Sequence, residues 1–363
     1  MKQVLLTVSG VVDPTVEAQV AAGTRPLPDY IAMARAFDAD LLDYREARES
    51  TGAFGRLLEK IGGPNLTLAW ACFKRRKHYR VIFTDGEQVG IPLATLCKAV
   101  GWTRTVHLMI VHNLAVPKKM IFFDWLGIHS HVNTFFVYST WQKRFIEQRW
   151  KISSDRVIRT PFMVDSAFFS PDRIHVRRKR MICSAGLEFR DYPTLMKAVQ
   201  GLDIDVVIAA ASPWSKRQDT TTAQSIPANV TVQRLSQFEL RQIYGESLFV
   251  VMPLYNVNFQ AGVTAILEAM AMERAVICSL TLGQTDVIVD GETGLYVPPE
   301  DPEALRAAME RLIDHPEEAE RMGKAGRAKV EREMKLERYV AGLHPHVQNA
   351  LAASDGAITA GGD

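Results

Sequence analysis

Cysteine is scarce and scattered. Cys72, Cys97, Cys183 and Cys278 form neither a CxxC pair nor a run of close spacings, which excludes a disulfide framework and fits a reducing cytoplasm. No stretch reaches the roughly 20 apolar residues that a bilayer-spanning helix needs. Charge of one sign is missing too: 43 Lys and Arg face 41 Asp and Glu, so no global field draws the chain onto nucleic acid or an acidic polymer, and any basic site is local. No G-x-G-x-x-G opens either half, which leaves a dinucleotide cofactor unsupported. The start, MKQVLLTVSGVV, lacks a small-residue cleavage site, and Val4 to Val8 before Ser9-Gly10 reads as a buried first strand and not as a signal peptide. The expectation is a soluble cytoplasmic protein, at most resting on the inner face of a membrane.

What is present is an alternation. The chain has 363 residues, 47% of them hydrophobic, enough for two cores. Short apolar or β-branched runs alternate with amphipathic ones throughout, the pattern of parallel sheets with helical crossovers, hence α/β. Strands are expected at 3–8, 41–44, 80–84, 106–112 and 134–138, with helices over 29–37, 55–61, 66–77, 89–100 and 140–149. The five Arg and Lys residues of Arg173 to Arg180 read as a solvated connector, after which the series restarts. Residues 1–170 are expected to form one domain, 171–345 a second, and 346–363, rich in Ala and Gly, a partly disordered tail. Two doubly wound units each bind ligands beyond the carboxyl ends of their strands, so a cleft between two facing units would suit a donor and an acceptor.

The segment Phe259-Gln-Ala-Gly-Val-Thr-Ala-Ile-Leu-Glu-Ala-Met-Ala follows an expected strand and opens a helix at Gly262. A helix start offers unpaired N–H groups and a positive dipole end to a diphosphate. Gly262 permits close approach, Thr264 adds a hydroxyl, and Glu268, one turn on, would accept from vicinal ribose hydroxyls. Helix physics alone favours an ordinary exposed glutamate, since most glutamates are solvated. The continuation tips the balance: a strand at 275–279, a glycine turn at Thr281-Leu-Gly-Gln-Thr-Asp, then Asp290-Gly-Glu-Thr-Gly-Leu-Tyr-Val-Pro-Pro-Glu-Asp-Pro-Glu-Ala-Leu.

This run resembles the donor-binding half of the retaining glycosyltransferases of family four, the group 1 glycosyltransferases, which have the GT-B fold of two facing Rossmann-like domains. The resemblance covers roughly 181–343. It implies that Glu268 is the second glutamate of an E-x7-E element and holds the ribose. It also implies that Gly262, Val263 and Thr264 present backbone N–H groups to sugar and diphosphate, and that Gly283 and Gln284 lie beside the donor. The first glutamate of the element falls at Gln260, which keeps the hydrogen-bonding shape but not the negative charge that would steady an oxocarbenium ion. Of the cationic pair that the resemblance implies after the first strand of the second unit, the first position is Leu187 and Arg190 is the match to the second; its guanidinium can bind phosphate alone or together with Lys216 or Arg217, which follow another strand.

In the first unit the resemblance implies that His112, ending the strand 106–112, positions the transferred sugar. Ser9, Gly10, Asp85 and Glu87 would line the acceptor side. The Asp38-Ala-Asp40 and Asp203-Ile-Asp205 pairs precede strands, at the amino ends of the sheets, so no metal is expected. Two stretches, Leu66 to Arg80 and Val116 to Trp125, mix aromatic and basic residues. Each reads as a core helix with a solvated basic end, or else as a patch for an anionic membrane, which would favour a lipid-linked acceptor. The expected partners are a nucleotide diphosphate sugar and a hydroxyl acceptor, a glycolipid or envelope glycan precursor among the candidates. A nucleotide-sugar 2-epimerase and a sugar-nucleotide binder impaired at Gln260 are the rival readings.

Overall fold

The computed structural model of the chain describes residues 2–210 and 226–359. The described chain divides into two compact units, one of 1–17, 28–160 and 337–363, the other of 18–27 and 161–336.

The first unit holds β1 (Val4–Thr7), the start of α1 (Val16–Ala21), α2 (Asp29–Phe37), β2 (Ala39–Leu42), α3 (Tyr44–Gly62), α4 (Pro64–Arg75), β3 (Val81–Thr84), α5 (Glu87–Ala99), β4 (Val106–Val111), α6 (Pro117–Asp124), β5 (Thr134–Val137), α7 (Thr140–Trp150) and β6 (Val157–Arg159). All six strands are parallel, in the order β2-β1-β3-β4-β5-β6. They are short apolar runs; β1 (Val-Leu-Leu-Thr) and β3 (Val-Ile-Phe-Thr) are buried along their whole length, because helices cover both faces of a parallel sheet.

The second unit contains β7 (Met181–Ala185), α8 (Tyr192–Val199), β8 (Asp205–Ala209), β9 (Val230–Gln233), α9 (Gln237–Glu246), β10 (Val250–Met252), α10 (Val263–Ala271), β11 (Val276–Ser279), β12 (Gly294–Val297), α11 (Pro302–Asp314) and α12 (Pro316–Lys329). Its parallel sheet runs β12-β11-β10-β7-β8-β9. Counted within the unit, that is the doubly wound order 3-2-1-4-5-6, whose topological switch point lies between β7 and β10, where adjacent crossovers leave in opposite directions and open a crevice. In the first sheet the corresponding point lies between β1 and β3.

The α/β class and two doubly wound units are as the alternation predicts. The domain limits differ. The second unit starts at Pro161 and not at 171, and the chain re-enters the first unit at Glu337 as α13 (Leu336–Thr359). Residues 337–345, expected as the end of the second domain, and 346–359 of the expected disordered tail are thus one helix. It is held by contacts to positions far back in the sequence: Tyr339, 2% exposed, lies 3.2 Å from the hydroxyl of Tyr138, Arg80 Nε donates to Ser354 Oγ at 2.7 Å, and the His346 ring meets Phe136 edge-on at 5.3 Å. Three elements absent from the expectation, α1, α6 and β6, are short. The expected helix 55–61 is the end of α3, which begins eleven residues earlier across Gly52, a residue at φ 61° and ψ −140°. Thr51-Gly52 reads as a break, and the flanking turns stay in register because Ala47, Thr51 and Gly55 pack inward on one face.

Candidate functional site

In the second unit the loops after β7, β10 and β11 are tied together at the switch point. Asp191 N donates to Pro253 O at 3.0 Å, Tyr255 N to Phe189 O at 3.1 Å, and Gly283 N to Val257 O at 3.2 Å. Leu254 N donates to Ser279 Oγ at 2.9 Å. Gly283 is required for this approach, since a Cβ there would fall 2.1 Å from Phe259 O.

These ties set the mouth of α10. Gly262 precedes the helix at φ 78°, in the left-handed region open to glycine, and no side chain caps the first turn. Its N–H groups therefore remain for an anion. Arg190 is folded back over this helix start. Its Nε donates to Ala185 O at 2.8 Å and Nη1 to Glu188 O at 2.7 Å, and it is only 6% exposed. A Cβ on Gly186 would fall 2.5 Å from its Nη2 and one on Gly262 3.3 Å from its Cζ, so the guanidinium is lodged between the two glycines. Burial lowers its pKa from 12.5, and a cation so desolvated calls for an anion.

Glu268 lies in the second turn of α10. The exposed-glutamate reading fails: the residue is 5% exposed and accepts from Tyr244 Oη at 3.0 Å. Burial pushes its pKa up to about 7, against the opposing pull of Tyr244 and Arg190. Thr264, one turn earlier, is exposed, whereas the Val263 side chain is buried and offers its N–H alone. Gln284, wholly buried, donates from Nε2 to Ala261 O at 2.7 Å, so half of its amide serves the loop and not a ligand. Its Oε1 and that of Gln260 are buried without a hydrogen-bond partner among the described residues, two acceptors waiting beside the α10 mouth. Lys216 lies outside the described residues.

In the first unit the structure brings Ser9, Asp85, Glu87 and His112 to the carboxyl ends of β1, β3 and β4. Asp85 accepts from Thr7 Oγ1 and Ser9 N, each at 2.5 Å, and from Ser9 Oγ at 3.1 Å; burial raises its pKa despite these donors. Gly10 supplies its carbonyl to Tyr44 N at 2.9 Å, and Gln88 Nε2 donates to Ser9 Oγ at 3.1 Å. Glu87 does not line the acceptor side as expected. It is 2% exposed and supports His112 from behind, accepting from His112 N at 2.8 Å, Asn113 N at 3.2 Å and Lys119 Nζ at 2.6 Å, with His112 Nδ1 at 3.5 Å. Burial acts to raise the Glu87 pKa, but His112 and Lys119 outweigh it and hold the carboxyl far below its usual range. Burial likewise works against a proton on His112, and Glu87, Asp85 and Asp29 outweigh it, raising the imidazole pKa. The ring side chain itself stays 47% exposed, so it presents Nε2 while Nδ1 faces Glu87.

Tyr244, Lys119 and Asp29 were not legible as site residues. Tyr244 sits 24 positions before Glu268 and Lys119 32 after Glu87, with no motif linking them. Asp38 and Asp203 are largely exposed, 84% and 97% by side chain, and among the described residues no group of three His, Cys, Asp or Glu side chains converges as a metal site. The basic end of Leu66 to Arg80 is partly structural: the Arg76 guanidinium lies 3.7 Å from the Phe73 ring centre and 4.8 Å from that of Trp102.

Residues 187–329 match the family model described as "Glycosyl transferases group 1". That span, with the arginine, helix mouth and buried glutamate inside it, is decisive. The second unit carries a group 1 glycosyltransferase segment. Over 136 residues the chain is 31% identical to the D-rhamnosyltransferase WbpZ of Pseudomonas aeruginosa, a match spanning 37% of this chain and 36% of that relative. The fold of the whole chain is that of GT-B glycosyltransferases. A sucrose-phosphate synthase from Thermosynechococcus elongatus superposes with a TM-score of 0.75 at 17% identity, covering 97% of this chain and 100% of its own. A glycosyltransferase from Rickettsia africae gives 0.68 at 15% identity over 96% and 98%. HepE of Anabaena, solved in complex with UDP-glucose, gives 0.69 at 12% identity over 96% and 99%.

Proposed function

We propose that the chain is a glycosyltransferase that moves a hexosyl group from a nucleotide diphosphate sugar to a hydroxyl acceptor, with retention at the anomeric carbon and without a metal. The observation that carries this reading is the Arg190 guanidinium lodged between Gly186 and Gly262 at the uncapped start of α10, with buried Glu268 in the next turn. Cation and helix start together take the diphosphate and stabilise it as a leaving group; Glu268 accepts from the ribose hydroxyls. A relative named for rhamnosyl transfer and a fold neighbour solved with UDP-glucose support a nucleotide-sugar donor.

His112 offers a hydrogen bond to the sugar from a position set by Glu87, and Gln260 takes a sugar hydroxyl through its unpartnered Oε1. Ser9, Gly10 and Asp85 serve the acceptor. A lipid-linked acceptor is supported by the exposed side of α3, where Phe54, Leu57 and Ile61 are 50%, 52% and 73% exposed beside exposed Arg56 and Lys60, a pairing suited to an anionic surface. No described helix is long and apolar enough to cross a membrane.

The test is incubation with a panel of sugar nucleotides. Release of nucleotide only when acceptor is added supports transfer, interconversion of the donor replaces it with an epimerase, and binding without turnover leaves the impaired binder, which the uncharged Gln260 favours. Flotation with anionic liposomes at low salt tests the α3 surface; protein that stays at the bottom removes the lipid-linked acceptor.

A further inference from the structure

Glu268 and Tyr244 stand on different elements, yet the structure holds them in fixed register. Tyr244 occupies the last turns of α9 with no exposed surface, its ring packed edge-on against Phe169 at 6.3 Å. The end of α9 is clamped by Arg274, which follows α10: its Nε donates to Tyr244 O at 2.8 Å and its Nη2 to Gly245 O at 3.1 Å. The carboxyl ends of the two helices are thereby tied, and the one hydroxyl of Tyr244 falls 3.0 Å from Glu268 Oε2. A phenol buried at this depth, in the same apolar core cluster as Val250, Cys183 and Ile266, has no solvent alternative, so its bond to the carboxylate is also its own satisfaction.

We propose that Tyr244 is the positioning residue of the donor site: its hydroxyl occupies Glu268 Oε2, fixes the carboxylate plane, and leaves the other oxygen for the vicinal hydroxyls of a nucleoside diphosphate ribose. This rests on the nucleotide-sugar reading of the same site. Without the phenol the carboxylate would be a buried anion with no hydrogen bond from the protein on that oxygen, and it would take up a proton instead. A protonated carboxyl spends one oxygen as a donor and accepts ribose hydroxyls poorly. The other groups around the pair are Arg190 from the loop after β7, which attracts both, and the thiols of Cys183 on β7 and Cys278 on β11, which burial pushes up to about 12 and keeps neutral.

The experiment uses the full chain with UDP and GDP as probes, titrated calorimetrically from pH 5.5 to 9 for wild type, Tyr244→Phe and Glu268→Gln. Binding by wild type should weaken as pH falls through about 7, where the buried Glu268 gains its proton. In Tyr244→Phe, which keeps the packed ring, that midpoint should rise by about one unit, a several-fold loss of affinity at pH 7 that narrows by pH 9. Glu268→Gln should bind weakly with no such midpoint. A Tyr244→Phe midpoint equal to that of wild type overturns the proposal, because a purely structural tyrosine would lower affinity evenly across pH. A second measurement needs no nucleotide. Because the folded pKa of Glu268 lies above its ordinary value of 4.5, the stability it contributes is full below that value and is lost as pH rises towards 7. Tyr244→Phe should extend the decline to higher pH, and Glu268→Gln should remove it; unchanged urea midpoints across this window in Tyr244→Phe again overturn the pairing. If neither UDP nor GDP binds wild type at any pH, the nucleotide-sugar reading fails and the ribose role falls with it, while the stability curves still report whether Tyr244 governs the Glu268 proton.

Discussion

Arg190 and His112 show how far a residue's chemistry depends on what lies behind it. Arg190 spends Nε and Nη1 on two carbonyls, which fixes the plane of its guanidinium before any ligand arrives. A lysine keeps the charge but cannot hold both carbonyls and a phosphate. Arg190→Lys should therefore raise the donor KM about tenfold, or ~1.4 kcal/mol, with kcat reduced as well if the leaving diphosphate is stabilised there; an unchanged KM in steady-state assays would remove Arg190 from the donor site. For His112 the decisive partner is Glu87. Burial alone would lower the imidazole pKa below 6.5, and the carboxylate reverses the sign. In Glu87→Gln the His112 resonance, followed by proton NMR, should titrate at lower pH than in wild type. The stability that the raised pKa supplies, present below 6.5 and lost as pH rises through the folded value, should disappear with it.

At the scale of elements, the α10 mouth depends on two glycines for different reasons. Gly262 must adopt φ 78°, and an alanine there meets both the left-handed penalty and a Cβ 2.9 Å from Met252 Sδ. Gly262→Ala should cost about 1–3 kcal/mol in urea unfolding and lose donor binding beyond what the stability change explains, because the first-turn N–H groups would shift. The Gly283 backbone lies so close to Phe259 that the loops after β10 and β11 act as one template. Much of this was legible: strand, glycine and helix follow one another in the sequence, and helix starts bind anions by a local rule. That Gln284 would turn its amide into the loop was not, since a glutamine beside a glycine turn carries no sign of which carbonyl it will meet.

Over the whole molecule, the two sheet orders place the described candidate residues on the carboxyl side of the strands, in the loops and helix start that follow them, which is a consequence of topology and not of any single motif. A donor that binds this fold should stabilise it by about 2.7 kcal/mol at a hundredfold excess over its dissociation constant; a thermal-shift screen in which no sugar nucleotide moves the transition would count against the site. The return of the chain into its first unit through α13 yields a separate expectation. Tyr339→Ala, at a 2% exposed position, should cost about 3–5 kcal/mol and raise amide hydrogen exchange in β5, the strand leading to Tyr138, while exchange at β10 stays as in wild type. Equal loss of protection at both would mean that the helix does not belong to the first unit alone.

The local pattern was enough to name the α/β class, most of the strands, the α10 mouth and the glutamine where a glutamate was expected, because alternation, glycine placement and motif spacing act over a few neighbouring residues. Pairings across long stretches of chain came only with tertiary packing: Tyr244 beneath Glu268, Glu87 and Lys119 behind His112, and α13 against Tyr138. Desolvation is the physical reason. Whether a carboxylate is a solvated surface charge or a buried acceptor with a pKa near 7 depends on which distant side chains remove its water and which donate to it, and neither is written in its own neighbourhood.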